Sequence, residues 1–224
     1  MKNANFTLFV GFLGASSLFW SIYLVFGYAA VEETMLETQK IFYFHVSSAF
    51  VAFTAYAFTC VCSIIYLIRR DDKFDALGSS SAELGLVFCT VVLITGPIWA
   101  RSAWGTWWNW ESRLTSTLIL WLMYIGYFIL RAMLDIDLRK TYSSVLGVLA
   151  FLNVPIVYYS VEIWQDRLHP SINIKSQLPP SMTKTWLVSW LALTLLYVFL
   201  LILRTQSMQI KSRIDALQFD QMNS

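Results

Sequence analysis

The chain has 224 residues, of which 57% are hydrophobic, 17% aromatic and only 13% charged, and its mean hydropathy is +0.57. That charge fraction is about half that of an ordinary soluble domain, which excludes a typical water-soluble enzyme and places the chain among membrane proteins. The formal charge of +2 comes from basic residues scattered between apolar runs, so nothing points to nucleic acid.

Six stretches contain no Asp, Glu, Lys or Arg: residues 6–30, 41–68, 84–100, 114–130, 141–161 and 185–203. Each meets the roughly 17–25 apolar residues that a membrane-crossing helix needs. The pattern predicts an all-α, polytopic bundle of six transmembrane helices forming one domain, 1–224. The first stretch is too long, and lacks the small-residue cleavage site, for a removable signal peptide. Gly96-Pro97 is expected to break or kink the third helix, and Pro155 to kink the fifth. The polar tail after Leu203 is expected at the surface. Cys60, Cys62 and Cys89 all lie inside apolar runs and read as small packing residues. No Cys-x-x-Cys-His pattern for covalent haem attachment is present.

Six spans put both termini on one side. That side carries Lys2, Arg69, Arg70, Lys73, Arg131, Arg139, Lys140, Arg204, Lys211 and Arg213. The other carries Lys40, Arg101, Arg113, Arg167, Lys175 and Lys184, so the count is ten against six. The excess predicts cytoplasmic termini and outward-facing loops 31–40, 101–113 and 162–184.

The outer loops hold the unusual residues. Trp99, Trp104, Trp107, Trp108 and Trp110 gather at the end of the third helix and in the loop after it, and Trp164 and Trp186 lie near the same boundary. An aromatic belt would populate both interfaces. None of the ten tryptophans falls at the inner one, since Trp20, Trp121 and Trp190 lie within spans, and the one-sidedness favours a binding platform. The two histidines, His45 in FYFHVSSAF and His169 in DRLHPS, are predicted on that same face.

Haem would satisfy all of these residues. Iron takes neutral imidazole nitrogens axially. The porphyrin packs against aromatic rings, and its propionates suit Arg forks; Arg101 and Arg113 bracket the tryptophan run. A zinc site would need more ligands than this chain supplies. Behind His45, the residues on its helical face (Ser48, Ala49, Ala52 and Tyr56) are mostly small and leave room for a ring or for a neighbouring helix alike. Glu111 and Ser112 precede the fourth helix. The macrodipole favours an acid there, so stabilising the helix start is the first reading of Glu111, ahead of orienting Arg113 or a partner. Glu162 and Asp166 read as solvated.

WGTWWNWESRLTS, from Trp104, resembles the tryptophan-rich signature of haem-handling proteins in cytochrome c biogenesis, W-G-x-x-W-x-W-D-x-R-L-T. FYFHVSSA and YYSVEIWQDRLHPS resemble the histidine segments on either side of it. Nearly the whole chain is similar to the haem-handling protein C (CcmC) family of the cytochrome c maturation system. The resemblance implies haem b held non-covalently at the periplasmic face of a bacterial inner membrane, with His45 and His169 as axial ligands of the iron. It implies that Trp99, Arg101, Trp104, Trp107, Trp108, Trp110, Glu111 and Arg113 hold the porphyrin. It also implies delivery to a membrane-anchored haem chaperone, protein E, which an ABC-type complex with a small accessory membrane protein later releases. That role is non-catalytic. The chain departs from the pattern at Glu111, where the signature has Asp, at Ser47, where Pro is usual, and at Pro170.

Two other functions remain to be weighed. A quinol-linked cytochrome b would need histidines toward both sides of the bilayer, and this chain has one outward pair. A permease exporting haem across the membrane would need polar or broken-helix sites near the midplane, for which Asn153-Val-Pro155 is the nearest candidate.

Overall fold

The computed structural model describes residues 2–165, 169 and 178–223. Among them are seven helices: α1 (Lys2–Tyr23, closing in a π-helical turn, Leu24–Tyr28), α2 (Ile41–Arg69), α3 (Asp72–Trp104), α4 (Ser112–Met133), α5 (Ile136–Phe151), α6 (Asn153–Trp164) and α7 (Pro180–Asn223). No strand occurs among the described residues. Six spans are long and apolar enough to cross a membrane, with α5 and α6 together forming the fifth. The protein is a multi-pass helical membrane protein. Asp166, Arg167, Pro170 and Lys175 lie outside the described residues.

The helix ends differ from the sequence expectation in three places, and a fourth, the interruption of the fifth span near Pro155, follows it, each for a physical reason. α3 starts at Asp72, well before residue 84. The Asp71 carboxylate accepts from the Lys73 N–H at 3.0 Å and caps it, and Asp72 and Asp75 sit in the first turn, where the macrodipole favours acids. The span therefore contains charges, and they are paired. Asp75 accepts from both terminal nitrogens of Arg131 at 2.6 and 2.9 Å, and Arg131 also donates to Ser143 Oγ at 2.7 Å. Glu83 pairs with Arg204 at 2.8 Å.

Pro97 does not end α3. The helix absorbs the missing N–H bond to Leu93 and continues to Trp104, and the turn comes at Gly105, in the left-handed region at φ 75°. The fifth span is interrupted at Leu152, because the Pro155 ring cannot follow the carbonyl of Phe151; Pro155 then sits in the first turn of α6, where a missing N–H costs little. Asn153 bridges the break by donating to the Ser116 carbonyl at 3.1 Å. Finally, α7 continues past Leu203 through the polar tail, tied back by Arg204 and by Ser80 Oγ donating to Met208 Sδ at 3.1 Å.

α2 is the central helix. It packs most extensively on α3 and also touches α5 and α7, whereas α1 leans mainly on α7. Hydrocarbon offers no hydrophobic drive between helices, so close packing through small residues holds them. Ala52, Ala55 and Ala82 are buried in this interface. Below them Tyr56 stacks on Tyr124 with ring centroids 3.7 Å apart. Phe6, Phe9, Phe12 and Phe19 of α1 point outward, as a lipid-facing helix requires.

Candidate functional site

One end of the bundle carries a mostly apolar pocket between α2, α3, α4 and α6. Ala49, Phe50 and Phe53 of α2, Val92, Leu93 and Gly96 of α3, Leu114 of α4 and Val157 of α6 form its sides; Cys89 lies in its lining as well. Phe50 is backed in turn by Trp186 and Trp190 of α7, at 5.9 and 5.8 Å between ring centroids. The polar groups on the wall include His45, Arg113 and His169. Both histidines thus reach one cavity although 124 positions (169 − 45) separate them in the chain.

Each imidazole is held by its Nδ1. On the His45 side the partner is Thr95 Oγ1 at 2.9 Å. That hydroxyl gives its single proton to the Val91 carbonyl at 2.7 Å, so toward His45 it accepts. His45 is therefore the Nδ1–H tautomer, and its Nε2 carries a free lone pair. The fit is close: a Cβ placed on Gly96 would stand 3.3 Å from His45 Cε1, and glycine is what lets the ring lie against α3. On the other side His169 Nδ1 sits against the Glu111 carboxylate. Trp104 meets the His169 ring edge-on at 5.1 Å and 66°, and Trp99 meets Trp104 at 5.3 Å and 85°.

Glu111 occupies the N-cap position of α4, but its side chain makes no capping bond. The helix-end position that the sequence suggested coexists with a second contact: Glu111 is 8% exposed and its carboxylate lies against the His169 imidazole. Arg113 donates from Nη2 to the Tyr158 carbonyl at 3.2 Å and lies on the pocket wall, the one guanidinium there among the described residues. Arg101 is exposed and bonds the Gly105 carbonyl, a C-terminal cap on α3 rather than part of the wall.

The tryptophan run divides in two. Trp99 and Trp104 line the pocket, while Trp107 and Trp110 turn outward, 59% and 76% exposed. Trp108 lies half-buried between them, its ring 5.6 Å from that of Trp110. Trp164 is exposed at the same end. Thr95 and Gly96 are the site residues that sequence reasoning missed. A hydroxyl and a glycine side by side, within a turn of Trp99 on α3, were the available signal, but Gly96 next to Pro97 reads first as a helix breaker.

The donor set fits a metalloporphyrin. Two imidazoles line one cavity, the walls are aromatic and aliphatic, and a guanidinium stands at the side for an acidic edge. Among the described residues no group of three or more His, Cys, Asp or Glu stands ready to hold a bare metal ion.

A family model described as "Heme exporter protein C" matches residues 3–220. The protein of that name from Bradyrhizobium diazoefficiens is 33% identical over 189 residues, covering 82% of this chain and 72% of its own. That of Paracoccus denitrificans is 32% identical over 200 residues, covering 87% and 83%, and that of Rhodobacter capsulatus 32% over 186 residues, covering 81% and 77%.

Proposed function

This chain belongs to the Heme exporter protein C family, and we propose that it holds haem b non-covalently at the pocketed end of the bundle and delivers it to a membrane-anchored chaperone during cytochrome c maturation. The observation that carries this reading is the pair of imidazoles lining one pocket, His45 bonded through Nδ1 to Thr95 Oγ1 and His169 set against the Glu111 carboxylate. Haem supplies the iron that these nitrogens ligate and the porphyrin edge to which the chaperone becomes attached.

The chain's own residues then divide the work. His45 and His169 are the axial ligands. Trp99, Trp104, Phe50 and Leu93 exclude water and fix the plane of the disc. Arg113 pairs with a propionate. Arg101 acts through the loop it caps. Trp107, Trp108 and Trp110 form the aromatic rim that the chaperone meets, and Glu111 acts through His169. The role is positioning rather than catalysis. The excess of Lys and Arg at the opposite end supports cytoplasmic termini, a site facing the periplasm and residence in a bacterial inner membrane, where an ABC-type complex and a small accessory protein act on the loaded chaperone. Direct export of haem through this chain is less well supported: the helix break at Leu152 is closed by the Asn153 bond to Ser116.

The test is an absorption spectrum of the purified protein, wild type against His45→Ala and His169→Ala, with chaperone loading measured alongside. Each substitution is expected to change the haem spectrum and stall loading. Unchanged spectra together with unchanged loading in both variants would overturn the proposal.

A further inference from the structure

The two imidazoles are not backed alike. His45 Nδ1–H donates to a neutral hydroxyl, Thr95 Oγ1, at 2.9 Å, and that hydroxyl ends on a helix carbonyl. His169 Nδ1 lies against a buried carboxylate, that of Glu111. Glu111 also stands at the N-terminus of α4, where four unpaired N–H groups and the macrodipole favour a negative charge. A hydrogen bond to an ionised acceptor is roughly twice as strong as one between neutral groups. It draws the proton away from the ring and makes the opposite nitrogen, Nε2, the more basic ligand.

The geometry points to an inequality built into the pair: His169, backed by Glu111, is the axial ligand that retains the haem, and His45, backed by Thr95, is the one that yields first when haem leaves. This rests on the reading that both imidazoles ligate one iron. It gives the hand-over an order. With haem bound, His45 would be the ligand displaced first, its place taken by the lone pair of an incoming donor with no electron transferred. Haem stays held through His169 and the Trp104 edge while the exchange occurs. Glu111 is a positioning residue here: its carboxylate lies at the ring while its backbone remains the N-cap of α4.

The full-length protein in detergent, loaded with haem b, tests this through two readouts: loss of haem to a competing apo-globin, and the reduction potential. His169→Ala is expected to lose haem at least tenfold faster than His45→Ala. Glu111→Gln, which keeps an acceptor but removes the charge, is expected to weaken retention by about 10–100-fold. The same substitution raises the potential, by about 59 mV for each tenfold shift in ferric over ferrous preference. Glu111→Asp is expected to hold the wild-type potential, and Thr95→Val to move both readouts least. Equal loss from the two histidine variants, faster loss from His45→Ala, or a Glu111→Gln potential at the wild-type value overturns the inequality. If Glu111→Gln does not fold, the comparison of the two histidine variants decides alone. Haem absent from the wild type, or bound with an unchanged spectrum in both histidine variants, sinks the functional reading beneath it.

Discussion

The two ends of the bundle handle polarity in opposite ways. Away from the pocket, charged side chains finish on partners within the chain: Asp75 on Arg131, Arg131 also on Ser143 Oγ, Lys140 on Asp72 at 2.8 Å, Arg70 on Thr141 Oγ1 at 2.7 Å. These bonds tie α2, α3, α4 and α5 together and leave little for a ligand. At the pocketed end, His45 and His169 each meet one side chain of the protein through Nδ1 and line a mostly apolar cavity, and Trp107 and Trp110 are exposed at the same end. Polar groups closed within the fold hold it together. Polar groups half-closed beside a cavity are available to chemistry. The same residue types thus have different consequences according to whether their partners come from the chain.

The sharpest way to break this contrast is at the closed end. Arg131→Met leaves Asp75 buried without its partner, a change that costs about 3–5 kcal/mol. Unfolding in detergent, followed by heat or denaturant, should show that loss while the haem spectrum of the surviving folded fraction stays that of the wild type. A spectrum disturbed as much as the stability would mean that the two ends are coupled. Arg113→Ala should do the reverse on a smaller scale. It removes the bond to Tyr158 and the guanidinium on the pocket wall, for a stability loss of about 1.5–3 kcal/mol. Its larger signature is weaker haem binding in a spectroscopic titration, which Arg113→Lys restores only in part because the fork geometry is gone.

How legible these two ends were in the sequence follows from the range of the interactions. Hydrophobic run length is local, and it located all six spans. It misplaced the start of α3 because Asp75 and Glu83 look prohibitive in a window that cannot see Arg131 and Arg204, 56 and 121 residues away. The break at Leu152 was visible through Pro155, since a proline acts within four residues of itself. The histidines and the tryptophan run were visible by rarity and one-sidedness. What they touch was not: the Glu111 carboxylate had a local explanation, helix-end electrostatics, that competes with the distant imidazole it meets. Thr95 and Gly96 carried no signal of rarity at all, because their role is set by the packing of α3 on α2.

Gly96→Ala isolates that packing. Alanine is favoured over glycine in a helix by about 1 kcal/mol, so the fold should lose nothing and stability should hold or rise slightly. The new Cβ would press on His45 Cε1 at 3.3 Å, and the ring must give by a few tenths of an ångström. The expected outcome is a shifted ligand-field band in the haem spectrum with binding retained. An unshifted spectrum would mean that the seat of His45 tolerates displacement and that the Thr95 contact does not set its position.

The smallest expected effect lies in the loop that enters α2, where the pocketed end contains one charge closed as tightly as any at the other end. Glu32 accepts from the Thr34 and Met35 N–H groups at 3.0 and 2.6 Å and from the Thr34 hydroxyl at 2.7 Å. The Met35 N–H, then the Thr34 hydroxyl, hold its carboxyl below the ordinary carboxylate range, against a small opposing desolvation. A depressed folded-state pKa means that the turn's extra stability is present above the unfolded carboxylate pKa and is lost as pH falls through the folded one. Protection of the Thr34 and Met35 amides from hydrogen exchange, corrected for intrinsic rates, should therefore hold at neutral pH and fall only on strong acidification, with Glu32→Gln showing the weaker protection throughout. Because Glu32 is fully exposed, the effect should stay confined to that turn, and haem retention at pH 7 should match the wild type. Retention that followed the turn would show that the 31–40 loop also holds the pocket, and the division between closed and half-closed polarity would then run within the outer end rather than between the two ends.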